Sequence, residues 1–193
     1  MKPEDQLRFL SRIHQEADRL VALINDILRL SQLDEGGALP HEQVSVLELA
    51  QAAARSLTAQ AAAQAVHISV TGTAGTVFGV RRLLYEIARN LCENAVKYNV
   101  PGGSVTVEVA ETDRDVTLLV RDTGIGIPEG DQSRVFERFY RVDKSHSRAI
   151  GGTGLGLSIV KHAVAYHHGT LRLESQPGKG TVITVTLPKK PTE

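Results

Sequence analysis

The first thirty or so residues show the apolar spacing of one long helix. Leu10, Ile13, Ala17, Leu20, Ile24, Ile27 and Leu30 follow one another three or four positions apart. This heptad spacing predicts a helix over residues 1–34 whose apolar stripe needs a packing partner. The Asp-Glu-Gly-Gly run at 34–37 ends it, because glycine commonly follows a last helical turn. We expect residues 35–41 to be a linker.

Beyond residue 42 the pattern alternates between helical and strand periods. It predicts helices over 46–65, 81–98 and 155–168, and strands over 66–71, 104–110, 116–122, 170–175 and 181–187. The last four strands pair as two hairpins. Helices mixed with hairpins in this way indicate an α/β two-layer sandwich with a mixed, mainly antiparallel sheet over 42–189, followed by a short tail, 190–193.

Composition narrows the class of protein. The 193 residues are 41% hydrophobic, and 22 basic residues balance 22 acidic ones. A formal net charge of zero gives no nucleic-acid footprint, so we expect no nucleic-acid partner. The single cysteine, Cys92, excludes an internal disulfide and fits a small core residue. No run approaches the roughly 20 apolar residues that span a bilayer, and residues 1–5 do not open a signal peptide.

The helix predicted over 81–98 carries a polar face. Glu86, Asn90, Asn94 and Lys97 fall within an arc of about 80° on a 3.6-residue helix. An amide oxygen suits Mg²⁺, and a lysine one turn on can balance phosphate charge. A solvated helix face of the same composition is an equally good interpretation from this helix alone.

Two glycine-rich segments add further candidates. Asp122 directly follows a strand and opens the run Asp122–Pro128, where a carboxylate can accept a hydrogen bond and glycines let a flat ring approach the backbone. Taken alone, Gly-x-Gly more often marks a tight turn. The run Gly151–Leu157 leads into a helix whose free N–H groups would face a bound anion, but its spacing is neither a Walker loop nor a dinucleotide fingerprint.

The order of these segments resembles one family. Asn90–Asn99, Asp122–Pro128, Phe136–Arg141 and Gly151–Leu157 closely resemble the N, first glycine, F and second glycine boxes of sensor histidine kinases. Residues 175–181 resemble the closing hairpin, so the resemblance covers residues 42–188. Within the family, the residues at 139–144 and 152–161 are most similar to the membrane-sensor branch that includes the phosphate-sensing and cell-wall-sensing kinases.

The resemblance implies the Bergerat ATP-binding fold and assigns the phosphate side of a Mg·ATP site. Asn94 would coordinate Mg²⁺, Asn90 would support the phosphates, Lys97 would contact them, and Arg138 would reach toward the γ-phosphate. The phosphates would be wrapped by the end of a mobile lid spanning 141–151 and the residues after it, Gly152, Thr153, Gly154, Leu155 and Gly156.

The same resemblance assigns the base side. Tyr98 would lie against the nucleotide, and Asp122 would take the adenine amine. Gly124, Gly126 and Ile127 would line the base. Because phosphoryl transfer depends mostly on positioning and charge stabilisation, these contacts would be the catalytic apparatus.

The N-terminal helix resembles the second helix of the family's dimerisation and phosphotransfer hairpin, through Ile24–Ser31. The first helix, with its acceptor in a His-Glu-x-x-Thr-Pro context, is absent from this chain. His14-Gln15-Glu16 lacks the Thr-Pro and is better interpreted as helix surface or dimer seam. The other six histidines are interpreted as structural or solvated; they are His41, His67, His146, His162, His167 and His168. Gly79-Val80 stands where the family often has Gly-Asp, which removes the expected N-cap side chain.

The resemblance thus implies the ATP-binding catalytic domain of a two-component sensor histidine kinase, with ATP and Mg²⁺ as cofactors. The γ-phosphate would go to a histidine outside this chain, so this piece should not autophosphorylate. We expect a homodimer in the full-length protein, a response regulator as partner, and a cytoplasmic piece of a membrane-anchored parent. Alternatives are another Bergerat ATPase, an anti-sigma serine kinase, or a non-catalytic, nucleotide-switched dimerisation module.

Overall fold

A computed structural model describes residues 39–142 and 153–190, together with residues 9, 10, 13, 14, 16, 17, 20, 21 and 24. The helices are α1 (Val46–Ser56), α2 (Thr58–Ala63), α3 (Arg81–Lys97), α4 (Glu129–Gln132) and α5 (Gly156–Tyr166). The strands are β1 (Glu42–Ser45), β2 (His67–Gly72), β3 (Thr76–Gly79), β4 (Ser104–Glu111), β5 (Asp115–Asp122), β6 (Thr170–Gln176) and β7 (Gly180–Pro188).

Five strands form the main sheet, in the order β2-β4-β5-β7-β6. Only β2 and β4 pair in parallel, and the three other pairs are antiparallel. A separate two-stranded antiparallel sheet joins β1 to β3. The expected α/β sandwich with a mixed, mainly antiparallel sheet is therefore confirmed.

Alternation along the central strands places the core between the sheet and the helices. Val105, Val107 and Val109 of β4, and their counterparts on β5 and β7, are almost fully buried. They join the apolar faces of α1, α3 and α5 in one cluster. Cys92 of α3 belongs to this cluster, and burial raises the pKa of its thiol to about 12. Its interpretation as a small core residue fits that environment.

One expectation about the start of the domain was wrong, and two short strands there were not predicted. The segment 46–65 is not one helix, because Leu57 leaves helical geometry (φ −102°, ψ 1°) and separates α1 from α2. Thr58 stabilises this break by donating its hydroxyl to the Arg55 carbonyl at 2.9 Å, while the Leu57 side chain turns into the core. The strands β1 and β3 were not predicted, since four residues each are too few to show a period.

The described residues of the N-terminal segment are helical, as predicted, and their large apolar side chains are exposed. Phe9, Leu10, Ile13, Leu20, Val21 and Ile24 are each more than half exposed. Ile27 and Leu30 lie outside the described residues. Within the part of the chain that the structure describes, we found no helix with the length and apolarity needed to cross a membrane.

Candidate functional site

The polar face of α3 turns inward. Asn90 is buried, and its Nδ2 donates to the Glu86 carbonyl at 2.8 Å and to Glu86 Oε2 at 3.3 Å. Arg89 in turn lies near Glu86 and bonds Glu93 at 3.0 Å. With both amide hydrogens of Asn90 directed at Glu86, its Oδ1 is left to face the N-terminus of α5.

Gly156, the first residue of α5, lies directly against the asparagines. A Cβ added there would stand 2.9 Å from Asn90 Oδ1 and 3.8 Å from Asn94 Nδ2. Asn94 is half-buried, and its side chain has no hydrogen bond to any residue that the structure describes. The absence of a side chain at position 156 therefore keeps two carboxamides open at a helix N-terminus.

Three polar side chains meet at the other end of α3. Burial lowers the pKa of the Lys97 ammonium, Glu93 raises it, and the Arg141 charge lowers it again. Burial raises the pKa of the Tyr98 hydroxyl, and the Arg141 charge lowers it. The Lys97 Nζ lies 5.8 Å from the centre of the Tyr98 ring. Arg141, which the sequence placed only at the edge of a lid, is thus a neighbour of both residues.

Arg141 carries unused hydrogen-bonding capacity. Its Nε and Nη2 are buried and have no partner among the described residues. A buried guanidinium N–H without a partner is costly, because charged donors lose strong hydrogen bonds to water. Arg141 is therefore suited to an anion between itself and Lys97.

Asp122 is held at the end of β5 by two backbone donors. Its Oδ1 accepts the N–H of Gly124 at 2.8 Å and that of Thr181 at 3.2 Å. Burial raises the pKa of the Asp122 carboxyl, and these two hydrogen bonds lower it. The second oxygen is left for another donor. A Cβ at Gly124 would stand 2.3 Å from the Tyr98 carbonyl, so the loop lies tightly on the end of α3.

The rest of the first glycine segment is tied to the closing hairpin. The Ile127 N–H donates to Ser175 Oγ at 2.8 Å, and Gln132 Nε2 donates to the carbonyls of Ile127 and Ser175 at 3.0 and 2.9 Å. Gly126 has φ +69°, and a Cβ there would strike the Gln176 carbonyl at 2.1 Å. Positive φ and close backbone approach both require glycine here.

The described part of the second glycine segment packs on the Phe136–Arg141 segment. The Phe139 N–H donates to the Gly154 carbonyl at 2.9 Å, with Phe139 at φ +64° and Gly154 at φ +74°. Leu155 is fully buried. Its N–H donates to Thr153 Oγ1 at 3.3 Å. Gly152 and most of the expected lid lie outside the described residues.

Arg138 extends along α5. Its Nη2 lies 3.2 Å from His162 Nε2, and His162 Nδ1 lies 3.0 Å from the Ser158 carbonyl. No motif in the sequence links these two residues.

The structure brings most of the expected residues together around the C-terminal half of α3 and the start of α5. Asn90, Asn94 and Gly156 meet there, while Lys97, Tyr98, Asp122 and Gly124 form the adjoining end. Arg141 and Thr181 belong to the same region but were missed. Both residues lie within motifs named above. Arg141 is the last residue of the Phe136–Arg141 segment, which also holds Arg138, and Thr181 is the last residue of the segment 175–181.

Family models match this chain over two stretches. Residues 79–191 match the model described as "Histidine kinase-, DNA gyrase B-, and HSP90-like ATPase". Residues 1–36 match the "His Kinase A (phospho-acceptor) domain". The chain belongs to the histidine kinase-like ATPases. The sensor histidine kinase resemblance is confirmed, and this ATPase domain implies ATP binding.

Relatives place the chain among the sensor histidine kinases of this family. It is 41% identical over 194 residues to the sensor-like histidine kinase SenX3 of Mycolicibacterium smegmatis, covering 98% of this chain and 50% of SenX3. It is 35% identical to the sensor histidine kinase WalK of Bacillus subtilis, covering 95% of this chain and 31% of WalK. The chain thus spans half or less of the length of these relatives.

Two solved structures are similar to this chain. The mycobacterial sensor histidine kinase MprB matches with a TM-score of 0.68 and 33% identity, covering 79% of this chain and all of that one. Full-length ShkA, solved in complex with AMPPNP, matches with a TM-score of 0.79 and 26% identity, covering 95% of this chain and 39% of that one. The histidine kinase ATPase fold and an ATP-binding catalytic domain follow for this chain.

Proposed function

We propose that this chain binds Mg·ATP between α3 and the start of α5 and directs its γ-phosphate to a histidine. The observation that carries the proposal is the contact of Gly156 with the carboxamides of Asn90 and Asn94, which leaves polar groups open at a helix N-terminus. The complex of ShkA with AMPPNP, an ATP analogue, gives a relative in which a nucleotide is bound.

The base side depends on Asp122. With Oδ1 occupied by the N–H groups of Gly124 and Thr181, Oδ2 is free to accept a hydrogen bond from the adenine amine. Gly124, Gly126 and Ile127 hold the backbone where a flat base can lie against it, and Tyr98 covers the base from α3. Gln132 and Ser175 keep this loop at a fixed height above the closing hairpin.

The phosphate side depends on cations and backbone N–H groups. Lys97 and Arg141 face each other as like charges, and an anion between them would remove that repulsion. The buried Nε and Nη2 of Arg141 would then gain partners. Gly152, Thr153, Gly154, Leu155 and Gly156 would direct backbone N–H groups at the phosphates, and Arg138 would reach the γ-phosphate.

A divalent cation fits the same place. Asn94 offers an amide oxygen, a hard neutral ligand that suits Mg²⁺ while the ion keeps waters and takes phosphate oxygens. Its side chain is not used by the described residues. Mg²⁺ bound there would neutralise charge that develops on the phosphates during transfer. Asn90, held in place by Glu86, would keep Asn94 and the phosphates in fixed relative positions.

The acceptor histidine is proposed to lie outside this chain, and His14 is not proposed in that role. In the whole protein we propose a homodimer, phosphate transfer onward to a response regulator, and an anchored sensor. The match of residues 1–36 to the phospho-acceptor family model and the exposed apolar side chains of the N-terminal helix support a dimer-forming hairpin helix.

Isothermal titration of the chain with ATP in the presence of Mg²⁺ tests the proposal. Asn94→Ala and Asp122→Ala should each weaken binding by roughly 10- to 100-fold, because each removes a polar contact worth about 1–3 kcal/mol. In EDTA, Asn94→Ala and wild type should bind ATP with equal affinity. Asp122→Ala should still bind ATP more weakly than wild type. Unchanged titrations for both variants would contradict the site.

Phosphate transfer needs its own measurement. Incubated with γ-labelled ATP, the chain alone should acquire no acid-labile label. Adding a separate first-helix polypeptide that carries a His-Glu-x-x-Thr-Pro motif should produce label on that polypeptide. Label on the chain itself that disappears in His14→Ala would refute the placement of the acceptor outside it.

A further inference from the structure

We infer that His162 is a positioning residue for Arg138, and that it fixes the Arg138 guanidinium to the helix that begins at the phosphate loop. The inference rests on the proposed contact of Arg138 with the γ-phosphate. It concerns a histidine that the sequence placed among the structural or solvated ones.

The two contacts of His162 determine which ring nitrogen carries the proton. Nδ1 lies 3.0 Å from the Ser158 carbonyl, and a carbonyl oxygen can only accept, so Nδ1 donates. Nε2 lies 3.2 Å from Arg138 Nη2, and a guanidinium can only donate, so Nε2 accepts. The pair is complete only when the imidazole is neutral and carries its proton on Nδ1.

This arrangement makes His162 an oriented acceptor. The Ser158 carbonyl, one turn earlier on α5, restrains the rotation of the ring. The ring then presents a single lone pair to a long side chain with many rotamers. Holding the guanidinium in one place removes part of the entropy that Arg138 would otherwise lose on contacting a ligand.

The backbone supplies a second tie at the same place. The N–H of Phe139, the residue after Arg138, donates to the Gly154 carbonyl at 2.9 Å. A Cβ at Gly154 would stand 2.9 Å from the Phe139 carbonyl carbon, so the two segments lie in close contact. Backbone and side chain together join Arg138 to both the glycine loop and α5.

The test compares ATP with ADP, because only ATP carries the γ-phosphate. Calorimetry of the chain in the presence of Mg²⁺ gives the ratio of the two affinities. Arg138→Ala should lower the preference for ATP about tenfold. His162→Ala should lower it about threefold, with unchanged ADP affinity and unchanged melting temperature. His162→Gln, whose Oε1 can replace the Nε2 acceptor, should recover most of the preference.

Two controls keep the outcomes distinct. Lys161→Ala, on the exposed neighbouring position of α5, should leave the ratio unchanged. In the double variant, His162→Ala should add nothing to Arg138→Ala, since one acts through the other.

Each contrary outcome has one meaning. If Arg138→Ala lowers the ratio and His162→Ala does not, the role of His162 is refuted while the site stands. The same holds if His162→Ala weakens ATP and ADP equally, or raises the preference for ATP. If Arg138→Ala leaves the ratio unchanged, the γ-phosphate contact falls and the role of His162 falls with it. The base and metal contacts of the proposed function would be untouched, since Asp122→Ala and Asn94→Ala test them separately.

Discussion

The backbone N–H of Val80 donates to His167 Nε2 at 3.0 Å, so the end of α5 caps the start of α3. Val80 occupies the N-cap position and has no side-chain group to offer. His167 is buried, and its Nδ1 lies 2.7 Å from the Ala163 carbonyl, which fixes it as the donor nitrogen. A Cβ at Gly79 would strike the His167 ring at 2.6 Å. His167 thus satisfies the N–H of the N-cap residue from the opposite helix, while the first turn of α3 has no side-chain cap.

His167→Ala should therefore destabilise the domain. The change leaves an orphan N–H at the start of α3 and a small cavity, which should lower the free energy of unfolding by about 1–3 kcal/mol. Urea unfolding followed by circular dichroism measures this. The neighbouring His168 is exposed and has φ +54°, so His168→Asn, which tolerates that conformation, is the matched control. Equal losses in both variants would contradict the cap.

The same residue predicts a pH dependence. Burial lowers the pKa of His167 below its ordinary 6.5, the Ala163 hydrogen bond raises it, and His41 and His168 lower it. Because the folded pKa is the lower one, the stability contribution is present above pH 6.5 and is lost as the pH falls to the folded pKa. Wild type should lose stability below pH 6.5 more steeply than His167→Ala. Parallel curves for the two proteins would refute this assignment.

Periodicity predicted the single elements well and the contacts between distant segments poorly. The polar face of α3 followed from a 3.6-residue period, and Glu86 and Asn90 do lie together on it. The capping pair Val80 and His167 lies 87 positions apart, and the pair Asp122 and Thr181 lies 59 apart. Such contacts depend on how α5 and β7 pack, which no local pattern records. Motif order identified the family because the segments keep their order in a fold that packs them together.

Asp122→Asn should separate binding from stability. Burial raises the pKa of this carboxyl, so its contribution to folding is present below the unfolded pKa of about 3.8 and is lost as the pH rises through the folded pKa. The raised pKa means that ionised Asp122 adds no stability, and the asparagine oxygen still accepts from Gly124 and Thr181. The melting temperature should stay equal or rise. The new amide N–H₂ would face the adenine amine, so ATP affinity should fall at least about tenfold. If the variant lost melting temperature and ATP affinity together, Asp122 would have a structural role only.

Arg141→Met should show the same separation on the phosphate side. Methionine keeps an unbranched apolar stem while removing two buried donors that have no partner among the described residues. The melting temperature should hold or rise, and ATP affinity should fall by roughly 10- to 100-fold, since hydrogen bonds to charged groups contribute about 1.5–3 kcal/mol. Lys97→Met gives the comparison, because its ammonium is proposed to contact the same phosphates. Undiminished affinity for ATP in Arg141→Met would remove this arginine from the site.

Gly156→Ala tests the junction of the two helices directly. Alanine is the better helix former by up to about 1 kcal/mol, so propensity alone predicts a more stable α5. The new methyl would instead stand 2.9 Å from Asn90 Oδ1, and Asn90 cannot turn away without breaking its two hydrogen bonds to Glu86. We expect a lower melting temperature and at least tenfold weaker ATP binding. Gly130→Ala in α4 is the control, because nothing lies within 4 Å of its added methyl. Adding Asn90→Ala should restore the melting temperature of Gly156→Ala while leaving ATP binding weak, since the clash is then gone but the amide that supports the phosphates is gone too. Recovery of ATP binding in that double variant would show that Asn90 acts only through packing.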